Sequence, residues 1–317
     1  MILIFSMERD GLKMIKRAFT EDGNWYKGNL HTHTTASDGT ITQEETVRIY
    51  RDAKYDFLAL TEHNTYTDTT KYDSESFITI AGAEPMLWHN SRETAFTAHI
   101  VCIGIPGKIK FKDGQVLEYD NGMSTADFIS WLKENGNYTI FAHPNWSRTR
   151  FEHFCDCLGD ADAIEVYNHG VEGDSWSEAW LDCALWGGKR VWATASDDIH
   201  RYYNLMGGFV MCKAPSLTKE NIVNSLITGN FYASTGALID DFWTDGDTAY
   251  VTCPPAKRIT FIRDMYPSQT VYDRSGKGKT FTSASCKLVS TDGKHQFIRC
   301  RVESDDGVAL TQPIFFD

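Results

Sequence analysis

The chain has no apolar run long enough to cross a bilayer as a helix. Its opening residues, Met1–Phe5, are apolar, but they lack the basic start of a secretory leader and stop too soon to form its core. Paired cysteine spacing is also missing. The eight cysteines (102, 155, 157, 183, 212, 253, 286 and 300) form no disulfide ladder and are expected to be reduced and mostly buried. Together these absences point to a cytoplasmic protein with no membrane partner. Basic charge is the scarcer sign: 31 lysines and arginines face 43 aspartates and glutamates, for a formal net charge of −12. That balance excludes a broad nucleic-acid footprint, which needs a basic face to neutralise phosphates. A small anionic substrate stays open if bound metals make one pocket locally positive.

At 317 residues with 42% hydrophobic content, the chain suits one large domain and a smaller module. Over about residues 25–236, strand-like and helix-like patterns alternate, as a βα barrel requires. Strands are expected at Leu30–Thr34, Phe57–Thr61, Phe77–Ile80, Thr97–Ile103, Tyr138–Ala142, Ala163–Tyr167, Val191–Ala195 and Phe209–Cys212. Thr42 with Glu45 reads as a capping box, Ser124 and Asp127 open a second helix, and further helices are expected over 175–186 and 218–228. Later the texture changes to short alternating stretches between Gly- and Asp-bearing turns. The expected division is a barrel over residues 1–237 and a small antiparallel β module over 238–317.

The informative presence is a series of metal-type ligands at the ends of these runs. They are His31, His33, Asp38, His63, Glu84, His99, His143, Asp198 and His200. Residues two apart on a strand point to the same side, so His31 and His33 can grip one cation together. Each residue alone has an ordinary reading: His-x-His as a surface pair, Asp38 as a turn residue, Glu84 as a solvated carboxylate. Those readings do not explain the repetition. In a βα barrel, catalytic groups sit at the carboxyl ends of successive strands, so distant residues converge. Imidazole with carboxylate and no obligatory thiolate suits zinc, manganese or iron. So many ligands imply two or three divalent ions. Three ions would leave a positive surplus of roughly +3 over Asp38, Glu84 and Asp198, and two would leave about +1; a surplus favours an oxyanion such as a phosphate monoester.

These residues resemble the PHP (polymerase and histidinol phosphatase) family of metal-dependent phosphoesterases over about residues 27–236. The motifs are Gly28–Gly39 around the two histidines, Thr61–Asn64, Ala142–Pro144 and Ser196–His200, with Glu84 and His99 between them. The resemblance implies a distorted seven-stranded βα (TIM-like) barrel. It also implies one ion on His31, His33, Glu84 and Asp198, a second on Glu84, His99 and His143, and a third on Asp38, His63 and His200. Asp198 rather than Asp197 keeps the Asp-x-His spacing. Glu62 stands where the family more often has aspartate, which implies altered hydrogen bonding to the histidines.

The expected reaction is hydrolysis of a small-molecule or nucleotide phosphomonoester by a hydroxide bridging two ions. Asp38, His63, Glu84 and His200 are the expected catalytic residues, with Arg148 reaching the substrate phosphate. Arg150 shares that position, and Arg92 and Arg201 are weaker candidates. Glu165–Asn168 lie at a strand end and are placed along the pocket. His153, Cys155 and Cys157 lack the partner half of a zinc site and are read as packing, as are Trp176, Trp180 and Trp186. Two other classes remain open: a metal-dependent amidohydrolase, and a carbohydrate- or partner-binding protein with a structural metal. The first usually needs a lysine at a strand end, and none of these runs supplies one. The leaving group, including a short oligonucleotide end, and the oligomeric state stay undetermined.

Overall fold

In the computed structural model of this chain, residues 4–6, 13–20, 22–88, 97–118, 122–264, 267–288 and 296–316 are described. Arg92 lies outside them. β1 (Ile4–Ser6) and β2 (Lys13–Arg17) form an antiparallel hairpin. β3 (Asn24–Asn29) runs into His31 and His33, and α1 (Gln43–Asp52) follows. The strand expected over Leu30–Thr34 therefore lies earlier, with the histidines on extended chain just beyond it. The Thr42 hydroxyl accepts from the Glu45 amide at 3.3 Å, but the Glu45 carboxylate turns to Arg48, so only half of the expected capping box forms. Val47 and Tyr50 bury the inner side of α1.

β4 (Phe57–Leu60) pairs in parallel with β3, and β5 (Ile78–Ala83) in parallel with β4; their residues are almost wholly buried, as strands covered on both faces must be. The chain then turns back through β6 (Met86–Trp88), which pairs antiparallel with β7 (Thr97–Gly104). This reversal breaks the regular parallel alternation: β7 runs antiparallel to β5. α2 (Thr125–Glu134), capped by Ser124, leads to β8 (Asn137–Phe141), which is also antiparallel to β7. α3 (Phe151–Leu158), β9 (Ala163–Asn168), α4 (Glu178–Trp186) and β10 (Trp192–Ser196) restore parallel pairing across β8, β9 and β10. β11 (Phe209–Ala214), α5 (Lys219–Thr228) and β12 (Phe231–Ser234) complete this part, and β11 pairs antiparallel with both β3 and β12.

A closed ladder, which the barrel expectation required, is not found among the described residues. The sheet runs β10-β9-β8-β7-β5-β4-β3-β11-β12, leaving β10 at an edge. The reason is local: β3 already has β4 on one side and β11 on the other, so it has no free edge for β10. What joins the two is one parallel bridge, Thr32 to Ile199, beyond the strand ends. It is made by the His33 amide to the Ile199 carbonyl at 3.0 Å and the Asp198 amide to the His31 carbonyl at 3.1 Å. That bridge brings the carboxyl ends of β3 and β10 together where the ligands sit.

The remaining strands are β13 (Asp241–Thr244), β14 (Thr248–Ala256), β15 (Arg258–Arg263), β16 (Gln269–Tyr272), β17 (Phe281–Lys287), β18 (Phe297–Glu303), β19 (Val308–Thr311) and β20 (Ile314–Phe315). No helix occurs among the described residues of this stretch. β13, β14 and β17 join β1 and β2 in a five-stranded antiparallel sheet, whereas β19, β18, β15 and β16 extend the large sheet through β12. The Gln312 side chain, just past β19, bonds both backbone groups of Ala193 at 2.8 Å and so covers the open edge of β10. No helix of the described residues is long and apolar enough to cross a membrane.

The aromatic expectation needs correction. Trp176 and Trp186 are exposed and Trp180 is half-buried, stacked on Phe151 with its indole N–H donating to the Thr149 carbonyl. Cys155 and Cys157 lie on α3, which the sequence pattern did not reveal, and Cys157 packs in the core.

Candidate metal centre

The nine residues singled out in the sequence lie at the same end of the large sheet and within reach of one another. His31 and His33 face the same way, with their Nε2 atoms 3.1 Å apart. Glu84, at the end of β5, is fully buried at the middle of the group. Its Oε1 lies 3.1 Å from His31 Nε2, 3.1 Å from His99 Nδ1 and 3.2 Å from His143 Nε2. Its Oε2 lies 3.2 Å from His33 Nε2 and 2.9 Å from His63 Nδ1. Asp198 Oδ1 is 3.3 and 3.2 Å from His31 and His33. Asp38, half-exposed at the mouth, places Oδ2 3.4 Å from His63 Nε2 and 3.3 Å from His200 Nε2.

Four overlapping groups of donors result: His33, Asp38, His63 and His200; His31, His33 and Asp198; His31, Glu84 and His143; and His63, Glu84 and His99. The grouping implied by the family resemblance put His31, His33, Glu84 and Asp198 together. Here His33 also reaches the outer group, and His31 is shared between the Asp198 and Glu84 sides. These buried His, Asp and Glu clusters are consistent with a multinuclear metal site.

Hydrogen bonding tests that fit. Among the described residues, the buried atoms His33 Nδ1, His63 Nδ1, His99 Nε2, Glu84 Oε2 and Asp198 Oδ1 make no hydrogen bond. A buried polar atom left unpaired costs on the order of 1–3 kcal/mol, so five in one cluster call for a ligand to satisfy them. Two imidazole Nε2 atoms 3.1 Å apart, both facing carboxylates, present the same lone-pair convergence. Divalent cations fit this donor set.

Charge acts in the same direction. Burial pushes His31 down, but Asp198, Glu84 and Glu165 outweigh it and hold its pKa well above the ordinary value. Burial likewise opposes His63, yet Asp38 and Glu84 raise it to about 10. Burial raises the Glu84 carboxyl, and His31, His99 and His143 more than reverse this, holding it well below the usual range. His99 is the exception, depressed by burial. Carboxylates that hold protons on these imidazoles hold cations in their place equally well, and metal binding then releases protons.

The backbone is bent to make this arrangement. Of the six non-glycine residues with positive φ among those described, Asn64 (52°), His143 (28°) and Asp198 (49°) belong to or adjoin the site. Such left-handed conformations cost about 1–3 kcal/mol each and persist where the surroundings impose them. Gly170 lies against the Asp198 turn so closely that a Cβ there would sit 2.3 Å from the Asp198 carbonyl oxygen.

Three carboxylates behind the ligands have distinct tasks. Glu165, on β9, accepts from His31 Nδ1 at 3.0 Å, the His143 amide at 2.9 Å, Asn168 Nδ2 at 2.8 Å and the Ser196 hydroxyl. It thereby fixes His31 with Nε2 toward the cluster. The sequence reading placed Glu165 only along the pocket; an acid in the middle of an otherwise apolar buried strand was the available signal. Asn168 Nδ2 also donates to Asp198 Oδ2 at 3.0 Å. Asp197 accepts from the amides of Met206, Gly207 and Gly208, each at 2.8 Å, and from the Tyr50 hydroxyl, so it braces a loop. Glu62 bonds the Thr34 amide at 3.0 Å, the Thr34 and Ser37 hydroxyls and Gln43. It therefore fixes the loop carrying Asp38 and makes none of the implied hydrogen bonds to the histidines.

A cavity of about 390 Å³ opens over the cluster. Beyond the ligands its wall is Met86, Trp146, Gly170, Val171 and Glu172. Arg148, expected to meet a substrate phosphate, is not part of the lining. Its guanidinium donates to both carboxylate oxygens of Asp174, at 3.1 and 2.8 Å, and is largely exposed. Arg150 lies 3.8 Å from Glu152, and Arg201 donates to the Tyr203 hydroxyl at 3.2 Å.

A scan against protein-family models and a search of the curated proteins return no match. A search of solved structures finds distant likenesses. One is a two-domain protein from Bacteroides vulgatus containing a predicted PHP-like metal-dependent phosphoesterase, 14% identical over 92% of this chain and 95% of that one, with a TM-score of 0.48. Another is a provisionally assigned metal-dependent phosphoesterase from Bifidobacterium adolescentis, 16% identical over 64% of this chain and 96% of that one, TM-score 0.43. An amidohydrolase from Chromobacterium violaceum with bound sulfate and no metal covers 55% of this chain and 88% of its own length at 16% identity, TM-score 0.39.

Proposed function

We propose that this protein hydrolyses a phosphate monoester at a cluster of two or three divalent cations. The observation that supports the reading is the set of four donor groups sharing Glu84, His31, His33 and His63 beneath an open cavity. Cations bound there supply Lewis acidity toward phosphoryl oxygens and lower the pKa of water toward about 7. His31, His33, Glu84, His99, His143 and Asp198 hold the inner positions, and Asp38, His63 and His200 the outer one. Glu165 keeps His31 oriented. Asp38 is the ligand that solvent and substrate reach most readily.

Two features favour an anionic ester over an amide. Among the described residues the lining includes no lysine or arginine, so a substrate anion is neutralised by the cations themselves. No lysine follows the strand ends that carry the four donor groups, where an amidohydrolase usually places one. The test is a panel of phosphomonoesters and amides with protein loaded separately with manganese, zinc and iron. Metal-dependent release of phosphate is expected. Turnover of the amides alone, or release of phosphate unaffected by chelation, would overturn the reading.

A further inference from the structure

Beyond its ligands, the cavity has a wall of one character. Met86, Trp146 and Val171 are apolar, Gly170 has no side chain, and Glu172 is the sole ionisable group there among the described residues. Trp146 is 37% exposed, and its ring meets His99 and His143 edge-on at 5.4 and 4.9 Å, so it stands directly beside the inner ligands. Among the described residues this wall offers a second anion no cationic partner. The nearest cation in sequence, Arg148, is neutralised by two bonds to Asp174. Glu172 has no ion-pair or hydrogen-bond partner among the described residues and is exposed at the rim.

We infer that Trp146 and Glu172 determine specificity, selecting a phosphate monoester whose leaving group has a flat apolar face and a positive or hydrogen-bond-donating end, and rejecting leaving groups that carry another anion. The inference rests on the phosphoesterase reading and deepens it. An aromatic ring on the leaving group gains contact with Trp146. An ammonium gains from Glu172 and from the aromatic face, while a carboxylate or further phosphate meets Glu172 with like charge. This disfavours the oligonucleotide end that the sequence left open, along with any bisphosphate, and it favours flat or amine-bearing alcohols.

A series with one ring and one leaving oxygen tests it: benzyl phosphate, 4-(aminomethyl)benzyl phosphate and 4-carboxybenzyl phosphate, with butyl phosphate as the ringless control. In wild type, kcat/KM should fall from the aminomethyl to the carboxy ester by about tenfold, equivalent to about 1.4 kcal/mol. Glu172→Lys should invert that order, and Trp146→Ala should remove most of the benzyl-over-butyl preference. Equal kcat/KM across the series, or ratios unmoved by either variant, would overturn the inference. If no ester is turned over by any metal-loaded form, the phosphoesterase reading fails. The same ratios are then read as Kd values of the matching benzylphosphonates by calorimetry, with the same two variants deciding.

Discussion

Two clusters of buried charge in this molecule are built in opposite ways. The first is the ligand cluster, where carboxylates and imidazoles crowd together and five buried atoms find no hydrogen bond. The second joins β18 to α4. Arg299, fully buried, donates to Asp182 through Nε at 3.1 Å and Nη2 at 2.6 Å and to Glu178 through Nη1 at 2.8 Å. Arg301, two residues on and so on the same face of the strand, also bonds Glu178. There, two guanidiniums meet two carboxylates and their donors and acceptors match. A matched cluster has completed itself and belongs to the fold, whereas an unmatched one is finished only by something bound.

The sharpest way to break this comparison is to remove the centre of the unmatched cluster. Glu84→Ala takes away the one carboxylate among the described residues that lies within 3.2 Å of His31, His33, His63, His99 and His143 alike. Phosphate release should drop below detection and bound metal per chain should fall, while the circular dichroism spectrum stays that of wild type. Near-wild-type turnover would remove Glu84 from the centre. The opposite experiment is Arg299→Ala, which strands Glu178 and Asp182 without their buried partner. A loss of about 3–5 kcal/mol is expected, seen as a lower urea midpoint, with metal content per folded chain unchanged.

Glu165→Gln probes the boundary between the two kinds of cluster, because Glu165 is fully matched yet serves the unmatched one. Both of its oxygens accept two donors each. A glutamine would turn its amide N–H groups toward donors on one side and lose the fixed orientation of His31. Metal affinity should weaken by about 10–100-fold in chelator competition. An unchanged affinity would mean that His31 is oriented by packing alone.

The cluster was legible in the sequence because its residues lie at or beyond strand ends, three after β3, one each after β4, β5 and β8 and two after β10, with His99 near the start of the reversed β7. The parts that were not legible depend on partners distant in sequence. Asn24–Asn29 has an unremarkable polar pattern and becomes a strand by pairing with β11 and β4. The direction of β7 is set by the β6 turn-back and not by any periodicity of its own. Arg299 and Arg301 alternate as solvent-facing residues would, and only the acidic inner face of α4 makes burial of Arg299 tolerable. The doubled Asp197-Asp198 separated on the Asp-x-His spacing: Asp198 faces the histidines, while Asp197 is taken up by three amides and Tyr50.

The smallest expected effect belongs to Arg148, the cation that the sequence placed first at the reaction. Its bidentate pair with Asp174 is matched in the manner of Arg299, but it lies mostly in solvent, where such a pair contributes about 0–1 kcal/mol. Arg148→Ala should therefore shift stability only slightly and leave kcat/KM for a simple phosphomonoester within about a factor of two of wild type. A large loss of kcat/KM with unchanged metal content would mean that the guanidinium leaves Asp174 to meet the substrate. The division between matched structural charge and unmatched functional charge would then fail at the rim of the cavity, where solvent makes exchanging one partner for another cheap.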